Sequence, residues 1–177
     1  MKKHYLFILF TFLFVTGFSQ STYLTNTNRV VLSTVINSDT IIIESAINKV
    51  RINGELDLLE IEYDNSNARL VSANDKHDIE SDFKLRFYNT YAWLDERIKT
   101  TQKSIEFTDE INIEANGFTK TLPVNFMINR LRGAQGFSVL IKMKGKFHPN
   151  DIDEYFPKLK FETDLYYSIY LTVQVIN

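Results

Sequence analysis

The sequence predicts an all-β protein built of consecutive antiparallel strands, and three observations carry that expectation. From Tyr23 to Asn177 apolar and polar residues alternate with period two, the mark of strands with one buried and one wet face. Short clusters of Asn, Asp, Ser and Gly punctuate the runs at strand-length intervals. No cysteine is present, so burial and strand pairing must stabilise the fold without disulfides.

The amino end reads as a secretory signal peptide in residues 1–19. Lys2 and Lys3 form its charged start, an apolar stretch runs from Tyr5 to Gly17, and the small residues Gly17 and Ser19 place the cut before Gln20. That stretch is shorter than the roughly 20 apolar residues needed to span a bilayer. Cleavage would therefore leave no stable membrane anchor, and the expected location is periplasmic or secreted. A lipoprotein is excluded because its cleavage site requires a cysteine.

Within residues 20–177 the strands are expected in order at 30–36, 40–47, 56–63, 69–72 and 83–87, then at 104–107 continuing to 113. Two clearer runs follow. Leu122, Val124, Phe126 and Ile128 alternate with Pro123, Asn125, Met127 and Asn129; Phe137, Val139, Ile141 and Met143 alternate with Ser138, Leu140, Lys142 and Lys144. The glycines at 133 and 136 supply the backbone freedom of a turn between them, so the pair reads as a hairpin. The last run puts Tyr167, Ile169, Leu171, Val173 and Val175 on one face. Only residues 89–98 read as a helix, with Tyr91, Leu94 and Ile98 on its apolar side. No linker divides the chain, so one domain is expected. Its strands must hide their edges by closing into a barrel or stacking as a sandwich, and periodicity leaves both open.

Charge narrows the partners. Loss of Lys2 and Lys3 with the leader takes the formal net charge from -2 to -4, and no long Lys/Arg run exists, which argues against nucleic acid. Lys142, Lys144, Lys158 and Lys160 read as surface charges that discourage edge pairing. For catalysis, His77 between Asp75 and Asp78, and the acidic stretch Asp151, Asp153 and Glu154, are the only clusters. The first reads as a solvated loop rather than a zinc or catalytic centre. The second lacks the spacing and central glycine of an EF-hand. No nucleophile elbow or phosphate-binding glycine loop appears. The chain is expected not to be an enzyme and to carry no cofactor or metal.

Residues 111–128 resemble a hairpin of the YceI-like family of exported proteins, the match resting on Gly117, Thr119, Lys120, Pro123 and Val124. Residues 144–147 are similar to that family's next strand, and residues 87–91 with 104–107 to its helix and following strand. Arg86, where the family has His, and Thr90, where it has Glu, depart from the pattern. The resemblance implies a lipocalin-like β-barrel with one short helix over residues 20–177, and an apolar cavity for an isoprenoid or lipid-like molecule. A carrier of that kind would line its tunnel with Leu85, Phe87, Phe107, Phe126, Ile128, Ile141, Ile169 and Leu171, with Arg86 or Tyr88 fixing a head group at the mouth. Each methylene of the ligand would gain roughly 0.8 kcal/mol on burial. The alternative is a non-catalytic envelope domain with a filled core that engages a protein partner. A homodimer is compatible with either reading.

Overall fold

The computed structural model describes residues 22–36, 39–64, 69–72, 84–115, 117–132, 137–148 and 163–176. The signal peptide and its cleavage point, Phe83, the His77 cluster, the acidic stretch 150–154, Lys158, Lys160 and Phe161 lie outside the described residues. Among the described residues ten strand segments and one helix follow one another: β1 (Thr22–Ile36), β2 (Asp39–Ala46), β3 (Lys49–Asn53), β4 (Leu58–Asp64), β5 (Arg69–Ser72), β6 (Lys84–Thr90), α1 (Leu94–Thr100), β7 (Ile105–Ala115), β8 (Phe118–Arg132), β9 (Phe137–Phe147) and β10 (Leu165–Ile176).

All pairings are antiparallel and the segments lie in the order β3-β4-β6-β7-β8-β9-β10-β1-β2-β5. The two ends of that order meet in the chain itself. β2 runs into β3 through Ile47 and Asn48, whose amides donate to opposite neighbours, Ile47 N to Asn28 O at 3.3 Å and Asn48 N to Glu62 O at 3.1 Å. β2 and β3 are thus one bent strand held by β1 on one side and β4 on the other, while β5 pairs with β2 on the β4 side. The segments then form an eight-walled ring, β1, β2/β3, β4/β5, β6, β7, β8, β9, β10 and back to β1. This is an up-and-down barrel of the lipocalin-like kind, in which closure removes the exposed edges.

Alternation decides what faces in. On β10 Leu165, Tyr167, Ile169, Leu171 and Val173 are buried, and on β9 Val139, Ile141, Met143 and Phe147. Their cross-strand partners continue the rows, Ile128 to Ile141 to Leu171 and Phe126 to Met143 to Ile169. The order of the ring places β6 and β10 on opposite walls, yet the rings of Phe87 and Tyr167 lie 5.1 Å apart. Side chains therefore meet across the middle of the barrel.

Several expectations change: β1 begins earlier, at Thr22, β3 (Lys49–Asn53) is a strand that the expected set lacks, and two further boundaries move. Leu56 stands in a turn, 58% exposed, rather than at a strand start. There Asn53 Oδ1 accepts from the amides of Glu55 and Leu56 at 3.0 and 3.1 Å, and Asp57 takes a positive φ of 51°, closing the turn before β4 begins at Leu58. The helix starts at Leu94 rather than Asn89, because Asn89 and Thr90 remain in β6 paired to Leu59 and Leu58. Tertiary pairing overrides the local helical spacing.

Gly145 is required by its neighbour. It pairs with Tyr167, and a Cβ built on it would fall on that ring. Gly145→Ala should cost about 1–3 kcal/mol by overpacking. Urea unfolding should show a lower midpoint at an unchanged slope.

Candidate functional site

The interior was the expected site, and its eight nominated residues all belong to the inward-facing set. Leu85 and Phe87 come from β6, Phe126 and Ile128 from β8, Ile141 from β9, and Ile169 and Leu171 from β10; each is at most 1% exposed. Phe107 of β7 is half-buried and stacks on Phe126 with ring centroids 5.3 Å apart. A side chain bordering a void wide enough for water keeps exposed area, and seven of the eight keep essentially none. What they face is other side chains.

One end of the barrel is stoppered by a cluster centred on Trp93, a residue the sequence reading did not single out. β6 and β7 pair only from Arg86–Glu114 to Tyr88–Asn112, so the lower half of β7 has no β6 partner. Side chains fill that gap. Asn89 Nδ2 and Tyr91 Oη both donate to Glu110 O, at 2.9 and 2.7 Å, and Trp93 Nε1 donates to Asp109 Oδ2 at 2.6 Å. Trp93 packs on Tyr91, Phe107 and Phe126 with centroids 4.8–5.0 Å apart. Arg97 of α1 lies 3.8 Å over the Phe107 ring in a cation–π contact that covers part of it. Leu94 and Ile98 turn inward beneath it.

Arg86 and Tyr88 do not reach a mouth. Their neighbours Leu85 and Phe87 face in, so the alternation sends them outward. Arg86 there bridges Glu60 at 2.7 Å and Glu114 at 2.9 Å, and its guanidinium covers the Tyr88 ring at 4.4 Å. Arg51 approaches Glu60 at 3.9 Å, completing an alternating-charge ladder over four strand segments. Glu60 is only 6% exposed beneath these side chains.

Three recesses among the described residues open toward the outer wall. One of about 500 Å³ is lined by Glu106, Thr108, Asn125, Met127, Lys142 and Lys144, with Phe107 and Phe126 also reaching it. Another, of about 330 Å³, shares Asn125 and Lys144 and extends to Pro123, Lys146 and Tyr166. A third, of about 400 Å³, lies by the Arg86 ladder. Along β9 the outward positions are Lys142, Lys144 and Lys146, flanked on β10 by Tyr166 and Tyr170. Lys142 lies 4.9 Å from the Tyr170 ring and Lys146 bonds Asp164 at 2.5 Å. Among the described residues no group of three or more metal-ligating side chains gathers.

This geometry defines an all-β barrel with a packed interior and a charged, recessed outer wall. No protein-family model matches the chain, and no curated protein matches it.

Three interior tyrosines make the fold sensitive to alkali. Burial holds the hydroxyls of Tyr63, Tyr91 and Tyr167 well above the ordinary phenol pKa, helped at Tyr63 by Asp64 and at Tyr91 by Asp109. The folded state favours the neutral phenol, whereas the unfolded chain ionises near pH 10. Their burial thus adds no pH dependence below about pH 10. Above it stability falls by up to about 1.4 kcal/mol per pH unit for each tyrosine. Circular dichroism and phenolate absorbance should change in one shared transition above the ordinary phenol pKa.

Proposed function

We propose that the protein is a non-catalytic binding domain with a filled core, which engages a protein partner through its outer wall. The observation that carries this reading is the contact of Phe87 and Tyr167 across the barrel, together with the complete burial of the residues around it. An eight-stranded barrel is just wide enough either to be filled by side chains or to hold one slender ligand. Here bulky rings from opposite walls take up that width. Membership of the YceI-like family, and export with cleavage before Gln20 to the periplasm or beyond, are part of the same proposal.

A second reading, a carrier of an isoprenoid or lipid-like molecule, is favoured by one specific feature. The Tyr167 hydroxyl is fully buried and has no hydrogen-bond partner among the described residues. An orphaned buried hydroxyl costs about 1–3 kcal/mol, and a ligand head group reaching it would recover that. The ligand would have to displace the stopper formed by Tyr91, Trp93 and α1.

Phe126→Trp separates the two by the sign of its effect. In a filled barrel the larger ring should destabilise by about 1–3 kcal/mol. In a barrel with room for a ligand it should be tolerated and should block uptake. Native mass spectrometry of protein purified without detergent should show the bare polypeptide. A co-purifying lipid would overturn the filled-core reading and establish the carrier.

A further inference from the structure

We propose that the partner of the outer wall is a second copy of this chain, docked by a two-fold axis that runs parallel to β8. The inference rests on the outer wall being the working surface, and register supplies the argument. Antiparallel pairing aligns outward-facing residues of β7, β8 and β9 in two rows, Glu106–Met127–Lys142 and Thr108–Asn125–Lys144, and the same register carried past the last β8–β9 pair sets a third, Glu110–Pro123, level with Lys146. Each row carries an acid or a hydroxyl at one end, a lysine at the other and an uncharged residue between.

A two-fold axis above β8 keeps every residue at its own height and exchanges left for right. Glu106 then faces the partner's Lys142, and Glu110 faces the partner's Lys146. The reciprocal contacts follow by symmetry, as an isologous interface requires. The residues that would meet their own copies on the axis are Pro123, Asn125 and Met127, none of which is charged. No like-charge contact is forced. The middle row accounts for the recess of about 500 Å³, which lies over Thr108 and Asn125 where the partner's Lys144 would enter. The Thr108 hydroxyl and Asn125 Oδ1, 2.7 Å apart, stand there as oxygen acceptors for its ammonium.

The charges are available for the task. Glu106, Glu110, Lys144 and Lys146 are exposed, and Lys142 is half-exposed. Among the described residues Lys142 rests on the Tyr170 ring and has no acidic partner, and the acid bonded to Lys146 is Asp164. The ladder on β3, β4, β6 and β7 shows the contrary arrangement, with signs alternating so that the charges neutralise one another within one molecule. On β7 to β9 the signs are separated by one neutral strand, a pattern that a reversed copy completes.

Charge exchange tests this. In native mass spectrometry and sedimentation at low salt, the unaltered protein should populate a species of twice the monomer mass. Raising salt from 0.1 M to 1 M shortens screening from about 10 Å to about 3 Å and should weaken association at least tenfold, on the order expected for exposed pairs. Lys142→Glu with Lys146→Glu should give a monomer, and Glu106→Lys with Glu110→Lys should also give a monomer. Mixing the two variants should restore a dimer containing one of each, which also shows that both variants are folded. A monomer at every concentration, or a mixture that stays monomeric while the unaltered protein dimerises, would overturn the proposed face. Polyanion binding to the lysines with no dimer would overturn it too. A lipid adduct on the measured mass would instead sink the filled-core reading, whether or not the mass doubles.

Discussion

The bend at Ile47 and Asn48 is what the rest of the molecule depends on. Two consecutive amides donate in opposite directions, to β1 and to β4, and so join the first wall of the sheet to the third. An open sheet of these segments would expose a row of unpaired backbone groups at each end. Closure removes both edges at once. It also fixes which face of every strand is interior, because a one-residue slip anywhere in the ring would turn an apolar set outward. A chain without disulfides gains its cooperativity from that shared constraint.

Once the ring is closed at eight walls, bulk decides what the interior can do. Phe87, Phe126, Phe147, Tyr63 and Tyr167 are all essentially fully buried, and no row of the barrel is lined by small residues alone. Where Gly145 removes a side chain from β9, the Tyr167 ring occupies the space it leaves. The short pairing of β6 with β7 opens a gap in the wall, and the hydrogen-bonded rings of Tyr91 and Trp93 close it. Each local concession in the backbone is matched by an aromatic ring, the group with the largest buried area per side chain.

Strand periodicity was legible because burial on one face imposes it directly on the residues, as in β8, β9 and β10. Inwardness followed for the same reason, and all eight nominated interior residues belong to the inward set. Void or no void was not legible, since it depends on which rings meet from opposite walls. Nothing local to Phe87 or Tyr167 states that they touch. Arg86 and Tyr88 are not mouth residues because the strand parity that turns Leu85 and Phe87 inward turns them out. Trp93 was missed because its role arises from a gap between β6 and β7, a property of pairing length that no single segment carries.

The same dependence on register separates the two sides of the outer wall. Outward lysines at alternate positions of β9 stand about 7 Å apart, a spacing at which exposed like charges repel weakly but measurably. A solvated face under no further constraint relieves this by placing acids on the neighbouring strands, as Glu60 and Glu114 do around Arg86. β8 and β10 instead present Pro123, Asn125, Met127, Tyr166, Ser168 and Tyr170, leaving Asp164 as the one acid bonded to the stripe among the described residues. On the proposed interface, the repulsion among these lysines would be relieved when an oppositely ordered surface arrives, so that the energetic gain would fall on association rather than on folding. That is the difference expected between a surface that only keeps a protein dissolved and one that recognises a partner.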